Sequence, residues 1–402
     1  MKNLAVYISY RPYSGGAYQY WLAVLKAVAM LNKDRYHVIC YSEYNEWKMV
    51  AERIGVEFEV ARRPKSILQR GMSYFSTQYM PKWFNIRFAF LWNPFAAQLK
   101  KNNTEIWLSQ SSYFAKNLKN VLSIVPIFDL MHRYHPELDE YKGIYNKLEK
   151  QFKEECKTAS LILVDSVIGK QQVMDCYGGV EKKLENKLRV LPYIPPDYIY
   201  EGKQCEDLPY DIFDKYIFYP AQFWTHKNHV MLIYAVNELK KENIDVNLVF
   251  VGSEKNNLEK VRRTIEELKL NENIKILGYV SNEEMVYLYK HAKALVMPSL
   301  FGPTNIPQLE AFELGCPVAV SRIYGIPEQV GNAALLFDPE NLKEITECIK
   351  ALWTDDELCR KLSAEGKKRA TQWGQKEFTE LLCGYIEEFK DNENIIEFRG
   401  EI

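Results

Sequence analysis

Short apolar runs alternate with helix-type segments along this chain in two series, and the alternation pauses once between them. The first series is LAVYIS (4–9), YHVICYS (36–42), IWLSQ (106–110), VLSIVPIF (121–128) and LILVDS (161–166). The second is YIFYPA (216–221), VNLVFVGS (246–253), IKILGYV (274–280), ALVMPS (294–299), PVAVS (317–321) and AALLF (333–337). Strands that alternate with helices build parallel sheets through right-handed crossovers. The pause, YIPPDYIYEGKQCEDLP (193–209), is rich in proline, glycine and charge, as a linker is. At 402 residues the chain exceeds what one core holds. Two doubly wound α/β domains facing each other across a cleft are therefore expected, with ligands at the carboxyl ends of the strands. The expected boundaries are 1–195 for the first domain, 196–212 for the linker, 213–375 for the second domain, and 376–402 for a terminal helix with a polar tail.

Composition narrows the class. Hydrophobic residues make up 47% and charged residues 26%, as in ordinary globular proteins. The start, MKNLAVYISYRPYSGG, has too short an apolar run for a signal peptide, and no run of about 18 apolar residues suggests a membrane span. Eight scattered cysteines contain no C-x-x-C pair, so reduced thiols are expected rather than structural zinc. The net charge of −1 conceals an asymmetry. Residues 1–200 carry 28 Lys/Arg against 19 Asp/Glu, and residues 201–402 carry 24 against 34, so the halves hold +9 and −10. Such a split points to an anionic partner for the first half.

Several segments carry candidate chemistry. Ser14-Gly15-Gly16 follows the first strand and opens a helix, where backbone amides and the helix dipole favour an anion; the plainer reading is an ordinary strand–helix turn. PAQFWTHKN (220–228) places Lys227 after the first strand of the second series, where a flexible ammonium can meet a diphosphate. Gly252 closes a second strand and Tyr279-Val280 a third. In GPTNIPQLE (302–310) a loop at Thr304, Asn305 and Ile306 offers amides to phosphate or sugar oxygens. Glu310 follows in the first turns of a helix, placed to accept ribose hydroxyls. VPIFDLMHRYHPE (125–137) brings Asp129 and His132 to a strand end, where the plainer readings are a helix cap and a core or surface histidine.

The segment 299–325, with PAQFWTHKN and the Gly15-Gly16 turn, resembles the donor site of retaining GT-B glycosyltransferases of the group 1 (family 4) class. The resemblance extends over roughly residues 1–375. It implies a GT-B fold of two Rossmann-like domains and transfer of a sugar from a nucleotide-diphosphate sugar to a glycan, with no metal and no cofactor. It also implies that the terminal helix crosses back to the first domain. Lys227 would stabilise the leaving diphosphate, Gln222 and the glycines Gly15, Gly16 and Gly252 would line the donor, Tyr279 and Val280 would hold the base through the backbone, and Asp129 and His132 would face the sugar. Three polar residues of the family pattern are missing: an arginine is replaced by Gln222, a histidine by Phe128, and the sugar-contacting glutamate by Gly302. His226 is a candidate for sharing the lost positive charge. Two rival readings remain open: a nucleotide-sugar epimerase of the same fold, and a degenerate subunit that binds a partner transferase.

One stretch falls outside these motifs. Residues 60–104 hold eight Lys/Arg, nine aromatics and no acid. Basic and aromatic residues together suit an anionic bilayer surface; no RNA- or DNA-binding motif accompanies them, so no nucleic-acid partner is expected. A lipid-linked acceptor and a cytoplasmic enzyme held peripherally on the inner face of the cell membrane are the corresponding expectation. The plainer reading is a packed helix pair with a solvated basic face.

Overall fold

A computed structural model describes residues 1–12, 15–201, 205 and 207–391. Ser14, part of the linker (202–204 and 206) and the tail beyond 391 lie outside the described residues. The first sheet contains β1 (Lys2–Ile8), β2 (Tyr36–Ser42), β3 (Glu57–Val60), β4 (Thr104–Ser109), β5 (Leu122–Pro126), β6 (Leu161–Val164) and β7 (Leu188–Val190). Its order is β3-β2-β1-β4-β5-β6-β7. The second holds β8 (Ile217–Pro220), β9 (Leu248–Val251), β10 (Ile274–Ile276), β11 (Ala294–Met297), β12 (Val318–Ser321) and β13 (Ala334–Phe337), in the order β10-β9-β8-β11-β12-β13. Every pairing is parallel. These are two Rossmann-like doubly wound sheets, as the alternation implied.

Each apolar run became a strand, trimmed by a residue or more in most cases. Two edge strands, β3 and β7, lie outside the apolar pattern. Edge strands are half exposed and tolerate charge, and β3 (EFEV) carries Glu57 and Glu59 while β7 is LRV. Both sheets reverse their winding at the centre, between β1 and β4 and between β8 and β11. Loops leaving these four strands meet at the switch points where such folds bind ligands. Gly15 and Gly16 follow β1, Lys227 follows β8, and Thr304, Asn305 and Ile306 follow β11.

The helix Gln375–Asp391 lies on the first unit. Phe378, Leu382 and Ile386 are buried in the core that includes Trp21, Val24 and Val28 of the helix Gly16–Ala29. Gln375 donates to the Ala23 carbonyl at 3.2 Å, Tyr385 to the Val190 carbonyl at 2.8 Å, and Arg189 pairs with Glu388 at 2.9 Å. The second unit is thereby tied to the first at both the linker and the terminus. Phe378→Ala should cost about 3–5 kcal/mol through loss of a buried ring and the cavity left behind. Urea unfolding measures this, and a loss under about 1 kcal/mol would mean the helix contributes little to the first core.

Candidate active site

Lys227 ends the 3-10 turn Thr225–Lys227. Three hydrogen bonds fix that turn: Tyr219 OH donates to the Lys227 carbonyl at 2.8 Å, Leu300 N to the His226 carbonyl at 2.8 Å, and Asn228 Nδ2 to the Pro339 carbonyl at 2.9 Å. Asn228 takes a left-handed φ of 59°, turning the chain into the helix His229–Lys241. The half-buried Lys227 ammonium donates to Asn305 Oδ1 at 3.4 Å and meets no carboxylate at ion-pair distance among the described residues. Burial lowers its pKa to about 8, against the pull of the Asp129 charge.

Asp129 follows β5 on the other wall. Its Oδ1 accepts from Met131 N at 3.1 Å, so it opens the short helix Met131–Tyr134 and also presents a negative field to Lys227. Burial raises its carboxyl pKa, opposed by the Met131 amide, His132 and Lys227. Phe128, where the resembled family has histidine, packs edge-to-face on Tyr20 with centroids 4.9 Å apart.

The glycine turn reaches the opposite unit. A Cβ on Gly15 would lie 3.8 Å from Gln222 Nε2, and one on Gly16 3.4 Å from Ile306 Cδ1. Gly252 is required by close approach, since a Cβ there would stand 2.2 Å from the Ala221 carbonyl oxygen. Gly302 has φ +113°, and a Cβ would press on the Asn305 carboxamide at 3.2 Å. The missing glutamate could not be restored without moving this loop. Asn305 Nδ2 is buried and has no hydrogen-bond partner among the described residues. Gln329 braces the loop by accepting from Asn305 N at 3.1 Å and donating to its carbonyl at 2.7 Å.

Several expectations need correction. His132 does not face the cleft: its ring is 1% exposed, stacks on Phe152 at 5.2 Å and lies 3.3 Å from Tyr177 OH. Glu149, held by Arg133, sits 3.5 Å away, so His132 is a packing residue of the first unit. His226 supplies no replacement cation, because burial lowers its pKa to about 4 and its Nδ1 is 3.0 Å from Glu140 across the cleft. The Asn305 amide, taken by Gln329, leaves the set expected to meet phosphate. Glu310 accepts from Tyr198 OH at 2.7 Å and Tyr289 OH at 2.5 Å, so both of its oxygens are engaged. Its carboxyl pKa is raised by burial, with the two phenols opposing. Tyr279 is exposed and the Val280 side chain lies in the core, an arrangement that leaves the backbone role expected of both as it was.

Asp165 escaped the motif reading, which took LILVDS (161–166) only as a strand. It is buried at the end of β6 and accepts from Ser166 Oγ at 3.1 Å and from Thr304 Oγ1 of the opposite unit. An acid directly after an apolar strand on the carboxyl side was the available signal. His135 Nε2 and Tyr324 OH, 2.7 Å apart, add a third contact across the cleft.

The architecture is that of a GT-B fold. Residues 210–369 match the family model for glycosyl transferases group 1. Among curated relatives, the chain is 36% identical over 106 residues to the O-antigen chain mannosyltransferase B of Escherichia coli, covering 26% of this chain and 28% of that protein. It is 26% identical over 235 residues to the O-antigen chain mannosyltransferase RfbU of Salmonella typhimurium, covering 56% of this chain and 59% of that protein. The chain thus spans less than two thirds of the length of these relatives. Among solved structures, a glycosyltransferase from Rickettsia africae superposes with a TM-score of 0.70 at 15% identity, covering 98% and 99% of the two chains. WaaG, a glycosyltransferase involved in lipopolysaccharide biosynthesis, gives 0.64 at 15% identity, covering 95% and 99%.

Burial holds the Asp165 pKa near 7, against 3.8 when free. The folded state thus keeps a proton that the unfolded chain releases, and this contribution to stability is lost as pH rises from about 4 to 7. Asp165→Asn should flatten that decline. Melting temperatures of the two proteins across this range check it; parallel curves would mean that Asp165 titrates as an ordinary carboxyl.

Proposed function

We propose that this chain transfers a hexosyl group from a nucleotide-diphosphate sugar to a glycan acceptor, with retention of configuration, as a family 4 type GT-B glycosyltransferase. The observation that carries this reading is the Lys227 ammonium, without a carboxylate partner among the described residues, held at the β8 switch point beside the Asn305 loop and opposite Gly15-Gly16. A diphosphate is the anion that such a cation and glycine turn suit. The mannosyltransferase relatives make mannose the first sugar to try.

In this mechanism the sugar–phosphate bond breaks toward an oxocarbenium-like state while the acceptor hydroxyl attacks from the same face. The leaving diphosphate takes the acceptor proton, so neither a side-chain base nor a metal is needed. Lys227 stabilises the charge that builds on the diphosphate. Asn305 Nδ2, unpaired beside the space where Gly302 carries no side chain, takes over sugar contact from the missing glutamate. Glu310 receives the ribose once the half-buried Tyr198 hydroxyl yields, and Tyr289 keeps the carboxylate in place. Asp129 remains a candidate for facing the sugar.

The acceptor is proposed to be lipid-linked and met at the cytoplasmic face of a membrane. No helix among the described residues is long and apolar enough to cross one. The helix Ile67–Tyr79, capped by Ser66 and Gln69, instead exposes Ile67, Leu68, Phe75 and Tyr79, and Trp83 and Leu91 follow on the next turns. Ile67 is 87% and Trp83 65% exposed. Phe84 and Trp92 stack on each other inside the same segment, so its aromatics divide between packing and surface. Exposed rings among Arg70, Arg87 and Lys100 match an anionic interface.

Two measurements test the reading. Release of nucleoside diphosphate from a panel of nucleotide sugars should fall by about two orders of magnitude in Lys227→Ala, the cost of one transition-state contact. Near-normal release would remove Lys227 from the mechanism, and an epimer formed from donor alone would favour the epimerase. Sedimentation with phosphatidylglycerol vesicles should exceed that with phosphatidylcholine at low salt and weaken as salt rises. Equal binding to both lipids would return this segment to a purely structural role.

A further inference from the structure

A second basic site lies on the first unit, away from Lys227. Glu43 directly follows β2, and Ala61, Arg62 and Arg63 directly follow β3, so these residues gather at the carboxyl edge of the sheet. With Arg70 and Phe95 they line a cavity of about 310 Å³. Its floor is aromatic, Tyr7 packing on Phe95 at 5.1 Å and on Phe114 at 5.6 Å. Arg63 is paired with Glu43, which also accepts from Tyr7 OH at 3.2 Å. Arg70 Nε donates to the Pro64 carbonyl at 3.3 Å, which sets its guanidinium at the rim. Arg62 and Arg70 have no carboxylate partner among the described residues. One acid therefore faces three guanidinium groups.

We infer that this pocket is a subsite for the phosphate ester of a lipid-linked acceptor. The inference rests on the transferase reading and deepens it by placing the phosphate of its lipid-linked acceptor. Guanidinium forks match phosphate oxygens two at a time, which favours phosphate over a simple carboxylate. Ile67 and Leu68, the most exposed of the large apolar residues described on the Arg70 helix, stand within a turn of it. An alkyl chain lies along them while its phosphate enters the cavity. Adjacent strands are about 5 Å apart, so β2 and β3 stand about 5–10 Å from β1 and its glycine turn. An acceptor anchored here by phosphate brings a hydroxyl one or two sugar lengths away to the donor cleft.

Binding of monomeric dodecyl phosphate to the full chain tests the inference, with saturating UDP or GDP filling the donor site. The double variant Arg62→Gln/Arg70→Gln should weaken this binding about tenfold or more, while the melting shift on adding nucleotide stays as in the unmodified protein and reports an intact fold. Unchanged dodecyl phosphate affinity overturns the subsite. Inorganic phosphate that binds as tightly as dodecyl phosphate overturns the lipid assignment. Loss of phosphatidylglycerol vesicle binding without loss of monomeric dodecyl phosphate assigns the arginines to the bilayer and also overturns it. The transferase reading fails separately: arginine-dependent dodecyl phosphate binding without nucleoside diphosphate release from any donor keeps the subsite and removes the reading.

Discussion

An ammonium drawn partly out of water, with only a carboxamide to bond among the described residues, is the constraint around which this cleft is arranged. Removing a charge from water is costly unless it is paired. Lys227 meets that cost incompletely, through Asn305 Oδ1 at 3.4 Å and the distant field of Asp129. A second anion in the cleft would complete the pairing. The rest of the architecture keeps that ammonium in register. The turn carrying Lys227 is bonded to the ends of β8 and β11, and the Asn305 loop is braced by Gln329.

Register across the cleft depends on few contacts. Asp165 to Thr304, Glu140 to His226 and His135 to Tyr324 join the walls, and an apolar cluster of Met131, Leu138 and Phe301 fills between them. The linker adds Lys26–Asp197 on one side and Tyr198–Glu310 and Tyr200–Glu313 on the other. Ligand contact at Glu310 would therefore disturb a bond that also anchors the linker, which couples the donor site to the relative position of the two units. The helix Gln375–Asp391 gives the pair a second tether far from the chemistry.

The sheets were legible in sequence because their strands are buried on both faces and read as unbroken apolar runs. The edge strands β3 and β7 of the first sheet were not, since Glu57, Glu59 and Arg189 interrupt the apolar pattern there. Lys227, Gly15, Gly16 and Asn305 could be assigned to loops at the switch points from their position after strands, because such loops converge whatever their sequence. The roles of the histidines could not be assigned. His132 and His226 both follow strands in sequence as a catalytic group would, but their roles are set by Glu149, Tyr177, Glu140 and Phe301, which are remote in sequence. Tyr198 and Asp165 stayed hidden for the same reason: their partners lie 112 and 139 residues away.

Proton uptake on binding a nucleoside diphosphate tests the account most directly. The Lys227 pKa of about 8 leaves roughly half of the free molecules unprotonated at that pH, and a bound diphosphate raises the pKa by supplying the missing negative charge. Calorimetry near pH 8 in buffers of different ionisation enthalpy should register uptake approaching half a proton per nucleotide, and Lys227→Met should abolish it. Binding without proton uptake, or the same uptake in Lys227→Met, would contradict the placement of the diphosphate on this lysine.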